Sequence, residues 1–262
     1  MESEQGGSEG EKGAAEEQFQ VTPAGRELLL VLFVAERWLQ KAPGGPVDVE
    51  GKEADRVTDT LRDGWSSGIV PALATEPLTK TELGRALDTM SRESIAAKLA
   101  ELREIGLIEA RPSEGEGASY AVSDWQREGV GLLAAGVRAE RRHSGEETAP
   151  IGAADVEAAL LLTLPLLKLP AELSGYCRLL VELPGSVERR AAGAMVRVDD
   201  GRVASCDVSL EGTADGWAMG SPAAWLDAIV VGETGELQFG GEEGLPRALI
   251  ERLHLRLFQY KS

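Results

Sequence analysis

The chain has 262 residues, of which 43% are apolar, enough for one large packed domain or two ordinary ones and too many for a disordered polymer. Its 27 basic and 44 acidic residues leave a net charge of −17, which repels phosphates and argues against non-specific nucleic-acid binding, although a local DNA-reading surface remains open. The longest apolar runs, LLLVLFVA at 28–35 and ALLLTLPLL at 159–167, fall far short of the roughly 20 residues of a membrane helix.

The acidic start, MESEQGGSEGEKGAAEEQ at 1–18, has almost no apolar residue; it reads as a disordered tail and lacks the apolar stretch of a signal peptide. A helix follows from Thr22, the N-cap, with Pro23 at its first position, and APGGPVDVEG at 42–51 is a linker. Val57, Leu61, Trp65 and Ile69 recur every four residues and predict one helix, with Gly64 as a candidate bend. Thr79 and Glu82 have capping-box spacing, so a second helix starts there.

Ser91 caps a third helix whose core stripe is Ile95, Leu99 and Leu102; Glu93, Ala97, Glu101 and Glu104 then face away. Gly106 is placed to end it in the left-handed conformation, with Leu107 folding back on Leu102. LIEAR and SYAVS flank the loop PSEGEG and predict a hairpin, and a helix runs from Asp124 to His143.

The segments FQVTPAGRELLLVLFVAER from Phe19 and YAVSDWQREGVGLLAAGVR from Tyr120 match at an offset of 101, pairing Thr22 with Ser123, Arg26–Glu27 with Arg127–Glu128, and Arg37 with Arg138. A duplication of this kind makes residues 19–41 the last strand and helix of an earlier, similar unit.

Beyond residue 151 the pattern changes. A helix over GAADVEAALLLTLPLLKLP precedes three alternating sets: Cys177, Leu179, Val181 and Leu183; Ala194, Val196 and Val198; Ala204, Cys206, Val208 and Leu210. SPAAWLDAIVVG predicts a helix, ELQFGG a strand and LPRALIERLHLRLF a closing helix, which together make an α+β domain with an antiparallel-leaning sheet. Cys177 and Cys206 sit on apolar faces and read as buried thiols, consistent with a cytoplasmic protein without disulfides.

Four segments resemble the HxlR-type winged-helix regulators, relatives of the MarR-like group: DGWSSGIVPAL at 63–73, PLTKTEL at 77–83, SRESIAAKLAELREIGLIEAR at 91–111 and YAVSDWQREG at 120–129. QVTPAGRELL and Trp38 resemble the last strand and terminal helix of the same unit. The stretch 201–258 is similar to the sterol carrier protein type 2 family. These resemblances imply a multidomain α+β chain: a winged helix-turn-helix at 53–145, and a sterol-carrier-like domain at 151–262 with a hydrophobic pocket. They also imply a homodimer through the terminal helices, with the helix from Ser91 reading double-stranded DNA.

On that reading the DNA-contacting residues are Lys80, Thr81, Ser91, Arg92, Ser94, Lys98 and Arg111, chosen as donors for phosphates and base edges. Residues 75–111 hold six basic side chains against seven acidic ones, and the wing loop carries Glu114 and Glu116 where cations are wanted, so a winged helix used only for protein contact stands beside DNA binding. RAERRH at 138–143 reads as a solvated helix end with its charges favoured at the C-terminus. Trp217, Met219, Trp225, Ile229, Phe239, Leu253 and Leu257 are the candidate pocket for an apolar small molecule, or equally the filled core of the domain. No metal-binding, nucleophile or phosphate-loop motif is present, and His254 is placed with Arg247 and Glu251 on a polar face, so neither catalysis nor a cofactor is expected. Two functions compete: a ligand-responsive transcriptional regulator, and a carrier or scaffold for a lipid-like ligand whose winged helix serves assembly.

Overall fold

The computed structural model describes residues 20–112, 117–143, 151–183 and 191–258; the acidic start, the tip of the predicted wing with Glu114 and Glu116, and the last four residues lie outside them. The chain is mixed α and β, with two separate sheets.

Helix α1 (Pro23–Leu39) starts as its sequence requires, with the Thr22 hydroxyl accepting the Gly25 N–H. Residues 20–22 form no strand, so the strand expected ahead of this helix is absent from them; Val21 is half exposed and pairs with no strand among the described residues. Helix α2 (Lys52–Ser66) does not continue through Ile69. Gly68 adopts φ 77°, and a short α3 (Ile69–Leu73) begins after it. Gly64, the expected bend, lies within α2 and is buried instead, where a Cβ would press on Leu102 and Val70.

Strand β1 (Leu78–Thr79) leads into α4 (Lys80–Ala86), whose capping box is complete: Thr79 Oγ1 accepts the Glu82 N–H, and Glu82 Oε2 accepts the Thr79 N–H at 2.7 Å. Helix α5 (Arg92–Glu104) is capped by Ser91, buries Ile95, Leu99 and Leu102, and ends at Gly106 with φ 85°. The Leu107 N–H reaches Leu102 O and the Gly106 N–H reaches Arg103 O, the two bonds of a glycine-terminated stop. Strands β2 (Ile108–Pro112) and β3 (Ala118–Val122) form the antiparallel hairpin, and β1 pairs with the other edge of β3, giving the order β1-β3-β2. Helix α6 (Asp124–His143) runs back across the bundle.

Helices α1 and α6 form the largest helix contact of the molecule, and its centre is reciprocal. Trp38 Nε1 donates to Trp125 O and Trp125 Nε1 donates to Trp38 O, both at 2.9 Å, with the rings stacked at 4.5 Å and 12°. The offset of 101 seen in the sequence is reflected in the bonding. The Thr22 and Ser123 hydroxyls cap the two helices at corresponding amides, Gly25 and Gln126. Glu27 pairs with Arg138 and Arg142, while the corresponding Glu128 pairs with Lys41, which matches Arg142 under the shift.

The second sheet has the order β6-β5-β4-β7-β8, antiparallel except for the β4–β7 pair. Its strands are β4 (Gly175–Glu182), β5 (Ala191–Asp199), β6 (Arg202–Asp207), β7 (Gly216–Gly220) and β8 (Gln238–Gly241). Helix α7 (Ala153–Thr163) packs on β5; α8 (Pro222–Leu226) runs on into a π-helical turn over 227–231; α9 (Gly244–Phe258) closes the chain. The alternation of β4 and β5 holds, with Cys177, Leu179, Val181, Ala194, Val196 and Val198 all fully buried beneath the helices.

In β6 the alternation slips. A bulge opposite Arg197 and Val198 turns Val203 and Cys206 inward and leaves Ala204 exposed, so Ala204 is not on the core face. A single buried cluster runs through both sheets and their helices, joined where Trp65 Nε1 donates to Asp155 Oδ1 and α7 meets α3.

Candidate functional site

The first candidate surface is the leading turn of α5 with the start of α4. Ser91, Arg92 and Ser94 are all exposed, as are Lys80 and Thr81, so the α5 N-terminus opens to solvent. Ser91 Oγ is engaged in accepting the Ser94 N–H and lies 3.0 Å from Ser94 Oγ. Lys80 sits over the Tyr120 ring at 6.0 Å, which ties its stem to β3 and leaves its ammonium at the surface.

Lys98 departs from the expected role. Its ammonium is held between Glu101 Oε2 at 3.0 Å and Asp63 Oδ2 at 3.1 Å, only 26% exposed, and its pKa is raised first by the Glu101 bond and then by Asp63. A cation neutralised by two carboxylates on α2 and α5 is a poor phosphate donor. Glu101 and Glu104 face away from the core as expected, but both reach across to α2: Glu101 accepts from Thr60, and Glu104 pairs with Arg56 at 2.5 Å. These bonds seat α5 on α2. Arg111 is exposed at the hairpin and lies 3.5 Å from Glu109.

The second candidate is the apolar set of the C-terminal sheet, and the structure splits it. Trp225, Ile229, Leu253 and Leu257 are buried under the sheet among α8, α9 and the π-turn. Phe239 lies on the same side, because Ala218 is its register partner and the Arg247 guanidinium on α9 stacks over it at 4.0 Å. Trp217 and Met219 alternate with the buried Gly216, Ala218 and Gly220 and therefore point to the opposite, half-open face. They share that face with Leu180 and Met195, while Gly240 gives the Trp217 indole room to lie flat.

His254 is also not on a polar surface. Its Nδ1 lies 2.9 Å from Ile229 O at the π-turn, and its ring packs on Phe258.

Two features go beyond the sequence expectations. The outer face of α1 exposes Leu28, Leu29, Leu32 and Phe33 at 60, 55, 55 and 41%. Under the offset of 101, Leu28 and Leu29 correspond to Gly129 and Val130 of α6, which are buried; Gly129 lies between Leu61 and Trp38. The signal is present in LLLVLFVA, which is apolar around more of the helix than one packed face needs.

The other feature is a cleft of about 60 Å³ where α1, α6, α9 and the end of α7 meet, bordered by Arg37, Lys41, Arg127, Arg256 and Glu128. Of the seven predicted pocket residues only Leu257 borders it. Among the described residues no group of three or more His, Cys, Asp or Glu side chains is arranged to hold a metal ion, and no helix is long and apolar enough to cross a membrane.

No family model matches this chain, and no curated protein does. Among solved structures it is similar to a conserved hypothetical protein of Thermus thermophilus for which a sterol carrier role has been suggested, at 14% identity and a TM-score of 0.27, over 34% of this chain and 68% of that one. A superposition that loose establishes no common fold.

Proposed function

We propose that this chain is a DNA-binding regulator that responds to a small molecule, with residues 53–145 acting as a winged helix and residues 151–262 as a sterol-carrier-like ligand domain. The observation that carries the reading is the solvent-open leading turn of α5, where Ser91, Arg92 and Ser94 stand beside Lys80 and Thr81 at the start of α4. A three-helix unit followed by a hairpin places its third helix in the major groove and the hairpin beside the backbone. Arg111, at the hairpin, is then a phosphate contact.

The proposed assembly is a homodimer, and the α1–α6 contact limits how it forms. The inner face of α6 is already covered by α1 of the same chain, so a second copy would use the exposed stripe Leu28, Leu29, Leu32 and Phe33. For the apolar ligand, Trp225, Ile229, Leu253 and Leu257 on one side of the C-terminal sheet are closed off from solvent. The half-open face with Trp217, Met219, Leu180 and Met195 is the better surface.

Fluorescence anisotropy with random-sequence duplex DNA tests the reading. A dimer offering Lys80, Arg92 and Arg111 twice makes about six phosphate contacts, so log K falls against log salt with a slope of about −5, roughly a thousandfold between about 50 and 200 mM. Arg92→Ala and Lys80→Ala each reduce binding, whereas Lys98→Ala, already neutralised, leaves it nearly unchanged. Absence of binding at about 20 mM salt, where the screening length exceeds roughly 20 Å, overturns it.

A second reading, a carrier or scaffold in which the winged helix only mediates assembly, is favoured by the apolar stripe on α1 and by the carboxylates that occupy Lys98 and approach Arg111. It predicts dimerisation and retained apolar cargo in native mass spectrometry without any DNA affinity.

A further inference from the structure

The α1–α6 pair has two polar ends that correspond under the offset of 101, and they are not equivalent. At one end Glu27, only 12% exposed, is matched by Arg138 and Arg142: one carboxylate and two guanidinium groups. At the other end the corresponding carboxylate is Glu128, bordering the 60 Å³ cleft with four cations, Arg37, Lys41, Arg127 and Arg256. Glu128 bonds Lys41 at 2.6 Å and lies 3.6 Å from Arg256. Leaving aside Arg37, whose guanidinium lies over the Phe33 ring, three cations border one anion, a local excess of positive charge in a chain that carries −17 overall.

Arg127 feels the charge of Asp124 but forms no ion pair with it. It is half-buried and makes only long bonds, 3.3 and 3.4 Å, to the carbonyls of Leu161 and Leu162; among the described residues no carboxylate lies within ion-pair distance of it. Burial lowers its pKa, which is the energetic sign of a charge short of partners. Arg256 comes from α9 and Arg127 from α6, so the cluster is assembled only when the C-terminal helix docks on the α1–α6 pair. Trp38 and Leu166 wall the cleft with apolar surface, which weakens solvent screening inside it.

We propose that this cleft binds a small oxyanion, a phosphate or carboxylate group, held by Arg127, Arg256 and Lys41 against the competing Glu128. The size agrees. At about 10–15 Å³ of such space per water molecule, 60 Å³ takes on the order of four to six, the bulk of one inorganic phosphate or one carboxylate with a short stem. It is far below the roughly 300–1,000 Å³ of pockets that enclose drug-sized ligands, so the remainder of any larger molecule stays outside. Guanidinium groups supply the paired donors that oxyanions accept. Bound there, the anion bridges α6 and α9 and fastens the C-terminal sheet to the helices beneath it. This site is independent of the DNA-reading proposal and survives its failure.

The test is isothermal titration of the full chain with inorganic phosphate at constant ionic strength, balanced with chloride, and a parallel titration with acetate. Saturable binding to phosphate or acetate above the chloride background is expected, and the stronger of the two identifies the preferred group. Arg256→Gln weakens binding about tenfold, the usual scale for losing one charge-assisted donor, and Glu128→Gln tightens it by a similar factor because the internal competitor loses its charge. Arg247→Gln, on α9 but paired with Glu243 outside the cleft, leaves affinity unchanged. Phosphate and acetate both indistinguishable from chloride, or Glu128→Gln weakening binding as Arg256→Gln does, would overturn the proposal. Since both cleft variants alter side chains that are partly exposed, circular dichroism of each establishes that the fold is intact before affinities are compared.

Discussion

Replacing Trp125 with Phe tests whether the indole pair fastens α1 to the rest of the molecule. The substitution deletes the Nε1–H bond to the Trp38 carbonyl, worth about 1 kcal/mol net, because that carbonyl still accepts the Lys41 N–H. It also reduces a ring stack at 4.5 Å, worth about 1 kcal/mol. The missing atoms of the larger ring leave a void costing about another 1 kcal/mol, since both tryptophans are over 90% buried. Together these come to about 3 kcal/mol. Urea unfolding followed by far-ultraviolet circular dichroism measures it without relying on the altered fluorophore. Trp38→Phe should cost a similar amount, because its bond to Trp125 O is the mirror of the first. The double variant should cost about 1–2 kcal/mol less than the sum, since both changes remove the same contact. Strict additivity, or a single-site cost below about 1 kcal/mol, would show that the paired geometry contributes nothing specific.

Other outcomes follow from single side chains. Gln126 is fully buried and, among the described residues, neither its Nε2 nor its Oε1 has a hydrogen-bond partner, so Gln126→Leu should stabilise the protein by about 1 kcal/mol in the same urea assay; a loss would reveal a water or partner satisfying the amide. Burial pushes the Cys177 and Cys206 thiols up to about 12, so at a pH of about 8 the native protein should not react with a thiol reagent, and both cysteines should react once it is denatured; rapid native labelling contradicts this. The Glu82 pKa is lowered by the Thr79 N–H and hydroxyl, so its stabilisation is present above the unfolded carboxyl range and lost as pH falls through the folded value. The urea midpoint of wild type should therefore exceed that of Glu82→Gln near neutrality and converge with it at a pH well below the unfolded carboxyl range. An unchanged gap at low pH would refute the assignment.

Local chemistry is legible in the sequence. The caps at Thr22, Thr79 and Ser91 and the glycine stop at Gly106 each depend on residues three to five positions apart, and all four form as the spacing requires. The span of α6 is legible for the same reason. What fails is set by distant partners. Strand β1 has two residues, too few to show alternation, and exists because β3 offers it an edge. Lys98 reads as a free flank of α5 in the sequence, but its partner Asp63 lies 35 residues earlier on α2. Gly64 and Gly68 are the same residue type four positions apart; only the packing of Leu102 against the first decides which one breaks the helix.

The candidate pocket fails for a simpler reason. Membership of an apolar set does not say which side of a sheet a residue occupies, and the register of β7 sends Trp217 and Met219 away from Leu253 and Leu257. The basic cleft is beyond sequence reading altogether, since Arg37 and Arg256 come from opposite ends of the chain.

The indole bonds between α1 and α6 join residues 87 positions apart, which has a consequence for biosynthesis. At about 5–20 residues per second, α1 leaves the ribosome some 4–17 seconds before Trp125 does, with both its faces greasy and neither covered. Through that interval it is a sticky nascent helix that a ribosome-associated chaperone would shield. Slowing translation between codons 40 and 125 would then lower the soluble yield, while speeding it would raise it.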